Sequence, residues 1–307
     1  MGISFDRLDG QIWYNGALVD WADAKLHVMS HGLHYASSVF EGERAYGGRI
    51  FKLREHTDRL IASGRALGFE IPWDADAIDA ACNDLLGRSG FADAYVRPVA
   101  WRGSEMMGVS AQKASINLAI GVWEWPSYFD PEARAKGIRL DMADWRRPDP
   151  ATAPCKAKAA GLYMICTLSK HAAEAKGYQD ALMLDWRGQV AEATGANVFF
   201  VRDGAIHTPT PDCFLDGITR RTAIELAARR GIEVVERAIL PEEMEGFEQC
   251  FVTGTAAEVT PVREIGPYSF EVGEIATTLM NDYAAEVRPA EERSDSGQSG
   301  GAAARAA

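Results

Sequence analysis

From Pro154 to Tyr163 the chain reads PCKAKAAGLY, and from Val190 to Asn197 it reads VAEATGAN. Each stretch surrounds an ionisable side chain, Lys158 or Glu192, with Ala and Gly. Small side chains allow a flat group to lie close to the backbone. We therefore take these two stretches as the centre of the molecule and expect the fold to bring them together.

Lys158 has the surroundings of a nucleophilic lysine. Its neighbours are small, and an apolar run with helical spacing follows from Leu162 to Leu168. A lysine without bulky neighbours can lose part of its water, which favours the neutral amine that attacks a carbonyl carbon. The alternative is a solvated loop lysine without chemistry.

Glu192 follows an apolar hairpin segment, Asp180 to Ala191, that we expect to be buried. An unpaired buried carboxylate is costly, so Glu192 needs a cationic or hydrogen-bonding partner. A protonated ring nitrogen would serve, and a reactive lysine with an acidic partner for that nitrogen is the arrangement of pyridoxal phosphate enzymes. The alternative is an ordinary glutamate at a strand end.

Three separated motifs resemble one family. They are KAAGLY from Lys158 to Tyr163, EATGAN from Glu192 to Asn197, and GTAAEVTP from Gly254 to Pro261. In this order they resemble fold-type IV pyridoxal phosphate enzymes, most closely the branched-chain amino acid aminotransferases, over a span from about Ile12 to about Tyr283. One departure is Leu162, where many members carry Asn.

The resemblance implies an α+β protein with the two-domain fold of the type IV aminotransferases. A small mixed α/β domain would cover residues 1–126, and a larger β-barrel-like domain with surrounding helices would cover residues 138–290. Residues 127–137 carry charges without a hydrophobic period and are the expected interdomain linker. After Val287 the composition shifts to Glu, Ser, Gly and Ala, which predicts a disordered tail over residues 291–307.

Turn signals and hydrophobic periods predict the main elements. Asn15-Gly16 is expected to close one hairpin, and Gly47-Gly48 a second one that joins Val39–Tyr46 to Arg49–Leu53. Helical spacing predicts helices over Arg54–Leu67, Asp74–Gly87 and Thr219–Arg230, and strand patterns cover Ala94–Trp101, Ser115–Trp125 and Ile138–Trp145.

Composition and charge exclude several classes of function. The 307 residues are 47% hydrophobic, which is enough for two compact cores. A net charge of −12 argues against nucleic acid or an anionic membrane as the partner, because both attract basic surfaces. No signal-peptide core or bilayer-spanning run is apparent. The odd number of widely spaced cysteines suits a reducing compartment, so we expect a cytoplasmic protein with small-molecule partners. The cysteines are Cys82, Cys155, Cys166, Cys213 and Cys250.

A predicted helix start offers a site for a phosphate group. Asp216-Gly217-Ile218-Thr219 leads into this helix, where free backbone N–H groups and the helix dipole favour an anion. The turn Gly254-Thr255-Ala256 adds N–H groups and a hydroxyl.

Without the resemblance, Arg59 would be interpreted as a partner of Glu55 on an exposed helix face. With it, Lys158 is the expected catalytic residue, and the expected pyridoxal 5'-phosphate ligands are Arg59, Lys158, Tyr163, Glu192, Ile218, Thr219, Gly254 and Thr255.

The expected substrate pocket includes a buried arginine. Arg97 shares a strand face with Tyr95, and a buried arginine needs a carboxylate, which a substrate can provide. The resemblance implies a pocket formed by Tyr35, Phe40, Gly42, Tyr95, Arg97, Met107, Val109, Trp125, Tyr128, Thr255 and Ala256. It also places the loop around Gly108 in a neighbouring subunit's site, which implies a homodimer as the minimal unit and a homohexamer as the larger alternative.

The resemblance implies transamination between L-leucine, L-isoleucine or L-valine and 2-oxoglutarate, giving the branched-chain 2-oxo acid and L-glutamate. Related D-amino acid enzymes carry Arg-x-His where this chain has Tyr95-Val96-Arg97, which favours the L-amino acids. The same-fold alternatives are a D-amino acid or (R)-amine transaminase and an aminodeoxychorismate lyase.

A metal-dependent hydrolase is the alternative from another class. It would use His27, His31 and His34, whose spacing would put three imidazoles on one helical face. No carboxylate or cysteine lies at a suitable offset to complete a metal site, so we expect none.

Overall fold

The computed structural model describes residues 4–125 and 131–288. Its first sheet has seven strands, and each pairing is antiparallel. They are β1 (Gln11–Tyr14), β2 (Ala17–Asp20), β3 (Ser38–Phe40), β4 (Glu43–Tyr46), β5 (Arg49–Ile50), β6 (Ala94–Arg102) and β7 (Ile116–Glu124). The order is β2-β1-β7-β6-β4-β5, and β3 lies beside β4 along the same edge of β6.

The hairpin predicted at Asn15-Gly16 is confirmed. The two turn residues have φ angles of +50° and +93° and join Tyr14 to Ala17. Hairpin turns of this type need a left-handed backbone, which Asn and Gly adopt at low cost. Asn15 also ties the hairpin to the sheet, because its side-chain oxygen accepts a hydrogen bond from the Leu118 N–H at 2.9 Å.

The single strand predicted from Val39 to Tyr46 is wrong, because it is broken at Glu41-Gly42. β3 pairs with the second half of β6, and β4 pairs with its first half. Between the two pairings lies Pro98, which has no N–H to donate to a strand ladder. Its carbonyl instead accepts a hydrogen bond from the Glu41 N–H at 2.9 Å.

Three helices belong to the first sheet: α1 (His31–Tyr35), α2 (Leu53–Ala66) and α3 (Ala75–Ser89). Asp74 caps α3 by accepting a hydrogen bond from the Ala77 N–H at 2.8 Å, and Gly90 ends it with a φ of +71°. Leu60 of α2 and Ile78 of α3 are fully buried in one core with β6 and β7. The predictions of α2 and α3 are confirmed to within two residues at each end.

The second sheet contains nine strands and closes on itself. They are β8 (Ile138–Met142), β9 (Asp180–Leu184), β10 (Val190–Ala193), β11 (Asn197–Arg202), β12 (Ala205–Pro209), β13 (Val234–Arg237), β14 (Gln249–Gly254), β15 (Glu258–Ile265) and β16 (Tyr268–Ser269). β10, β9, β8, β15, β14 and β11 pair in that order, and β11 pairs back to β10. These six strands form a closed ring, which confirms the predicted barrel-like fold.

The helices of the second half are α4 (Pro131–Lys136), α5 (Met164–Ala175), α6 (Ile218–Arg229) and α7 (Glu274–Val287). α6 and α7 pack on the ring through a core that includes Leu226, Phe251, Val259 and Leu279. We propose that each sheet with its helices is one domain, with the limits expected from the sequence. Residues 127–130 of the expected linker and the expected tail lie outside the described residues, and α4 occupies the rest of the linker except Gly137.

The stretch that carries Lys158 lies where the two sheets meet. Ala157, Ala159 and Leu162 belong to the core of the first sheet. The Phe40 N–H of β3 donates to the Lys158 carbonyl at 3.1 Å. The candidate site is therefore built between the sheets. Within residues 4–125 and 131–288, no helix combines the length and apolar character needed to cross a membrane.

Folding shifts the pKa values of two buried glutamates of the first sheet in opposite directions. Glu41 is paired, since it accepts hydrogen bonds from Arg59 Nε at 2.6 Å and His56 Nδ1 at 2.7 Å. Burial opposes its ionised form, but Arg59 and His56 hold the pKa of Glu41 well below its usual range. Glu43 is fully buried, and neither of its oxygens has a hydrogen-bond partner among the described residues. Burial, followed by the charges of Glu41 and Asp79, raises its pKa well above 4.5.

Glu43→Met should therefore stabilise the protein increasingly as pH rises. A carboxyl whose pKa is raised by folding contributes stability below its unfolded pKa, and this contribution is lost as pH rises toward the folded pKa. We expect Glu43→Met to increase the free energy of unfolding by about 1–3 kcal/mol at pH 8 and by less at pH 5. Urea denaturation at both pH values measures this. Glu70→Met is the control, because Glu70 is exposed. Equal changes in the two variants would contradict the account.

Candidate active site

Lys158 points its amine at Tyr163. Its Nζ donates a hydrogen bond to the Tyr163 hydroxyl at 2.8 Å, and its backbone N–H donates to Ser63 Oγ at 3.0 Å. A 3₁₀ turn over Ala160–Tyr163 leads into α5 and brings the two side chains together. Lys156, two residues earlier, is exposed. The local fold therefore distinguishes between two lysines that are close in sequence.

The Lys158–Tyr163 pair is shifted toward its uncharged forms. Burial, followed by the nearby Arg59 guanidinium, lowers the pKa of Lys158 below its ordinary value. Burial, followed by the Glu192 carboxylate, raises the pKa of Tyr163. An amine of lowered pKa beside a phenol of raised pKa is suited to attack on a carbonyl carbon and to proton transfer. This is the shift expected from the small neighbours of Lys158.

Glu192 lies in β10 and meets an arginine that the sequence did not indicate. Arg147 Nε is 3.3 Å from Glu192 Oε1, and Asn197 Nδ2 donates to Oε2 at 3.5 Å. Burial raises the pKa of Glu192 to about 7, although Arg147 and Lys158 act in the opposite direction. The carboxyl is therefore only partly ionised near neutral pH, and a further cation beside it would complete its ionisation.

Lys158 and Glu192 line the same cavity of about 570 Å³. Part of its wall consists of small residues, Ala157, Gly195, Ala196, Gly217 and Gly254. A Cβ at Gly217 would overlap the Asn197 side chain. The backbone is thus exposed toward the cavity, which leaves space for a flat group.

One end of this cavity is suited to an anion. α6 begins there with Ile218 and Thr219, and its N-cap is Gly217. Thr255 and Arg59 line the same space. A helix start with free N–H groups, hydroxyls and a guanidinium is an arrangement that binds phosphate. Gly254 also lines the cavity, so all eight residues expected to bind the cofactor face one space.

Arg59 is paired with Glu41 rather than with Glu55. Its Nη2 donates to Glu41 Oε2 at 2.8 Å, in addition to the shorter bond from Nε. Glu55 pairs with Lys52 and Arg221 instead. The interpretation of Arg59 as a partner of Glu55 is therefore wrong, and Glu41 fixes the guanidinium at the cavity.

A second cavity adjoins the first and shares Lys158, Tyr163 and Thr255 with it. Its other walls include Phe40, Gly42, Tyr95, Arg97, Trp125 and Ala256, all of which were expected to bind substrate. Gly42 is required at its position, because a Cβ there would overlap the Tyr95 hydroxyl. Besides the Lys158 amine and the Asp180 carboxyl, the cavity combines these aromatic walls with one cation.

Arg97 is that cation, and it has no carboxylate partner among the described residues. Its Nη2 donates to the Tyr95 hydroxyl at 3.2 Å, while Nε is buried without a hydrogen bond. The guanidinium lies over the rings of Phe40 and Tyr95, at 4.9 and 5.1 Å from their centroids. Such a partly buried cation is suited to binding an anion that enters the cavity.

Three of the expected substrate residues lie outside this cavity in the single chain. The Tyr35 ring stacks on His31, and its hydroxyl donates to the Met107 carbonyl at 3.1 Å. Val109 follows in the same loop and is 85% exposed. Their contact with substrate stays a prediction that requires a second copy of the chain. Tyr128 lies outside the described residues.

The three histidines do not share a helical face, as the hydrolase alternative requires. α1 begins at His31, so His27 precedes the helix. His31 Nδ1 bonds with Ser37 Oγ at 2.6 Å, and His34 Nε2 bonds with the Val28 carbonyl at 2.8 Å.

In the described part of the chain, one group has the spacing of metal ligands: Asp185, Asp212 and Cys213. Arg187 Nη2 lies 2.7 Å from a carboxylate oxygen of each aspartate and forms an ion pair with both.

The comparisons with known proteins agree with this site. Residues 38–265 match the family model described as Amino-transferase class IV. The chain is 42% identical over 291 residues to a protein named probable branched-chain-amino-acid aminotransferase of Rickettsia felis, covering 93% of this chain and 99% of the relative. It is 40% identical over 269 residues to the branched-chain-amino-acid aminotransferase of Escherichia coli K12, covering 86% of each.

The fold is similar to that of solved branched-chain aminotransferases. The T.th. enzyme with pyridoxamine 5'-phosphate has a TM-score of 0.89 and 38% identity, over 94% of this chain and 97% of that chain. Sequence and fold thus agree over most of both molecules, which also confirms the type IV fold. The chain therefore belongs to the class IV aminotransferase family and is an aminotransferase enzyme.

Proposed function

We propose that the enzyme uses pyridoxal 5'-phosphate to transfer an amino group between L-leucine, L-isoleucine or L-valine and 2-oxoglutarate. The observation that carries this proposal is the single cavity lined by a lysine of lowered pKa, a buried carboxyl and the first residues of a helix. The T.th. relative has been solved with pyridoxamine 5'-phosphate and with N-(5'-phosphopyridoxyl)-L-glutamate.

The residues present fit this cofactor. The small-residue wall leaves room for a flat ring, and the buried Thr253 hydroxyl on the same wall has no hydrogen-bond partner among the described residues. Ile218, Thr219, Gly254, Thr255 and Arg59 would hold the phosphate, and Glu192 would face the ring nitrogen. When bound, the cofactor supplies an aldehyde carbon that accepts the amino group and a ring that delocalises negative charge.

Each of the central side chains then has a distinct task. Lys158, with its lowered pKa, would bond to the cofactor and carry a proton to and from the substrate α-carbon. Glu192 would hold a proton on the ring nitrogen, and Arg147 would help to keep Glu192 ionised. Tyr163, whose pKa is raised, would donate a hydrogen bond to the ring hydroxyl oxygen.

The substrate cavity must accept two different side chains in turn. Leucine presents an apolar group, which the Phe40 and Trp125 rings can contact. Glutamate presents a γ-carboxylate, which cannot enter an apolar cavity without a cation because its desolvation is too costly. We propose that Arg97 binds this γ-carboxylate, and that Tyr95 and the backbone N–H groups after Thr255 bind the α-carboxylate that both substrates share.

Arg97→Leu should damage the glutamate half-reaction far more than the leucine half-reaction. The variant removes the cation from the cavity wall but leaves apolar contacts available. The expected gap is about 2–3 kcal/mol, or roughly thirty- to more than a hundredfold in the ratio of the two specificity constants. Single-turnover stopped-flow with each amino acid measures the two halves separately.

Arg139→Leu is the matched control for this prediction. Arg139 also lies in a strand, but it pairs with Glu264 away from both cavities. Both half-reactions of this variant should stay within about twofold of wild type. If Arg97→Leu slows both half-reactions equally, Arg97 supports the fold or binds the shared α-carboxylate, and the present account must be abandoned.

We further propose that a second copy of the chain completes the site, with a homodimer as the minimal assembly and a homohexamer as the larger alternative. Val28, Leu33 and Val109 are exposed apolar side chains in or near the loop around Gly108. The family resemblance places this loop in a neighbouring subunit's site. Light scattering of the purified protein would measure the molar mass and test this.

A cytoplasmic location is also proposed, since all five cysteines are buried and none forms a disulfide.

A visible absorption spectrum tests the cofactor, and a substrate panel tests the amino acids. The bound cofactor should absorb in the visible range, and the three branched-chain L-amino acids should each change this absorption. A colourless protein inactivated by chelators would contradict the whole proposal. Faster reaction with D-alanine or an (R)-amine than with L-leucine would assign the chain to one of the same-fold alternatives.

A further inference from the structure

Glu258 occupies a backbone position that normally favours glycine. β14 and β15 pair with Gly254 opposite Glu258, so the hairpin between them has a three-residue loop, Thr255 to Ala257. Glu258, the first residue after this loop, has a left-handed backbone with a φ of +55°. For a residue with a long side chain, this conformation costs about 1–2 kcal/mol of strain. Contacts of the side chain must therefore hold Glu258 in place.

The Glu258 carboxylate is held by groups from outside its own hairpin. Arg134 Nη1 of α4 donates to Oε2 at 2.6 Å, and the Tyr46 hydroxyl of β4 donates to Oε1 at 3.0 Å. Arg44 Nη1, also in β4, lies 3.8 Å from Oε1. Arg134 additionally donates to the Val259 carbonyl at 3.0 Å. The Glu258 side chain, which belongs to the second sheet, therefore contacts β4 of the first sheet and also α4, the helix that precedes the second sheet.

The contacts of Glu258 continue through Tyr46 to a residue that lines the cofactor cavity. Tyr46 and Tyr283 are both buried, and the Tyr283 hydroxyl interacts with the side chains of Tyr46 and Thr219. Thr219 lies in the first turn of α6 and lines the cofactor cavity. Glu258 is thus connected, through Tyr46 and Tyr283, to Thr219 of the cofactor cavity.

The three loop residues that Glu258 follows all line the substrate cavity. We propose that Glu258 is a positioning residue, whose carboxylate fixes the Thr255–Ala257 turn so that its backbone N–H groups bind the substrate α-carboxylate. The inference rests on the proposed function, which assigns these N–H groups to that carboxylate. Through the contacts of Glu258 with Arg134 and Tyr46, the relative position of the two sheets then affects the turn that binds the substrate.

Glu258→Gly tests this inference, because glycine accepts the backbone conformation but removes the carboxylate. The probe is 4-methylvaleric acid, a carboxylate without an amino group with which the T.th. relative has been solved. Its dissociation constant is measured with the cofactor-loaded enzyme from the change in visible absorption. We expect Glu258→Gly to weaken binding about tenfold or more and to raise KM for leucine similarly, with kcat within about threefold.

Asp203→Gly is the matched control. Asp203 also has a left-handed φ of +53° in a hairpin, but its side chain is 90% exposed and lies outside both cavities. This variant releases the same kind of backbone strain without touching the site, so both constants should stay within about twofold of wild type. Equal losses in the two glycine variants would overturn the inference.

Arg134→Met provides a second test, which decides the matter if Glu258→Gly does not fold. It removes the strongest partner of Glu258 and leaves the turn sequence unchanged, so we expect about threefold to tenfold weaker binding of 4-methylvaleric acid. Unchanged binding in this variant would overturn the inference. A wild-type enzyme that shows no transamination would instead overturn the proposed function, so the two failures are distinguishable.

Discussion

Lys158→Ala is expected to lose transamination with every substrate, by about four orders of magnitude or more. The Lys158 amine lines the cavity with a lowered pKa, and its Nζ is held by the Tyr163 hydroxyl at 2.8 Å. Alanine removes both the attachment point for the cofactor and the group that moves the proton. Single-turnover absorbance with L-leucine measures the loss.

Lys156→Ala is the matched control, because Lys156 is exposed and lies two residues away on the same loop. Its activity should stay within about twofold of wild type. Borohydride reduction of the wild-type enzyme, followed by peptide mapping, should place the pyridoxyl group on Lys158. Finding that group on Lys156 would reverse the assignment.

Glu192→Gln is expected to keep the cofactor but to slow both half-reactions by orders of magnitude. The phosphate contacts are untouched in this variant, so cofactor content should remain near normal. Glutamine is neutral and cannot hold a proton on the ring nitrogen, which weakens delocalisation of charge from the substrate α-carbon. Rapid-mixing absorbance with L-leucine and L-glutamate provides the rates. An unslowed variant would show that another residue faces the ring nitrogen.

The Glu192 carboxyl should also be detectable in the cofactor-free protein. Burial raises its pKa to about 7, above the unfolded value of about 4.3, so folding favours the protonated form. Its contribution to stability is present below the unfolded pKa and is lost as pH rises through about 7. The stability of wild type relative to Glu192→Gln should therefore fall between those two values, which thermal unfolding across pH measures.

Local sequence patterns predicted the elements whose causes are local. Asn15-Gly16 identified its hairpin because both residues adopt the left-handed backbone that the turn requires. The start of α6 after Gly217 was likewise predictable from hydrophobic spacing. The quoted motifs around Lys158 and Glu192 identified residues that do line one cavity. The assignment of Phe40 and Trp125 to the substrate pocket came from the family resemblance. From hydrophobic spacing alone, both would be interpreted as core residues.

Contacts between distant segments were not predictable in the same way. Arg147 lies in a Pro-rich loop with no local signal, and it reaches Glu192 only because the loop runs beside β9 through a bridge between Arg147 and Asp185. Glu41 sits inside a run that reads as one strand, so neither the break nor its pairing with Arg59 was expected. These features depend on tertiary packing, which overrides local preference.

The closed ring of six strands has a consequence for biosynthesis. β8 ends at Met142, but the strand beside it, β15, begins only at Glu258, so the ring closes by joining distant parts of the chain. Loop closure over such a separation is entropically costly and slows folding. Until β15 has been synthesised and has left the ribosome, β8 lacks one of its neighbours. The unpaired edge of β8 is then exposed, which favours aggregation. Gly254 and Thr255 line the same cavity as Glu192 but are synthesised much later, so the cavity that we propose for the cofactor is complete only after β14 has been made.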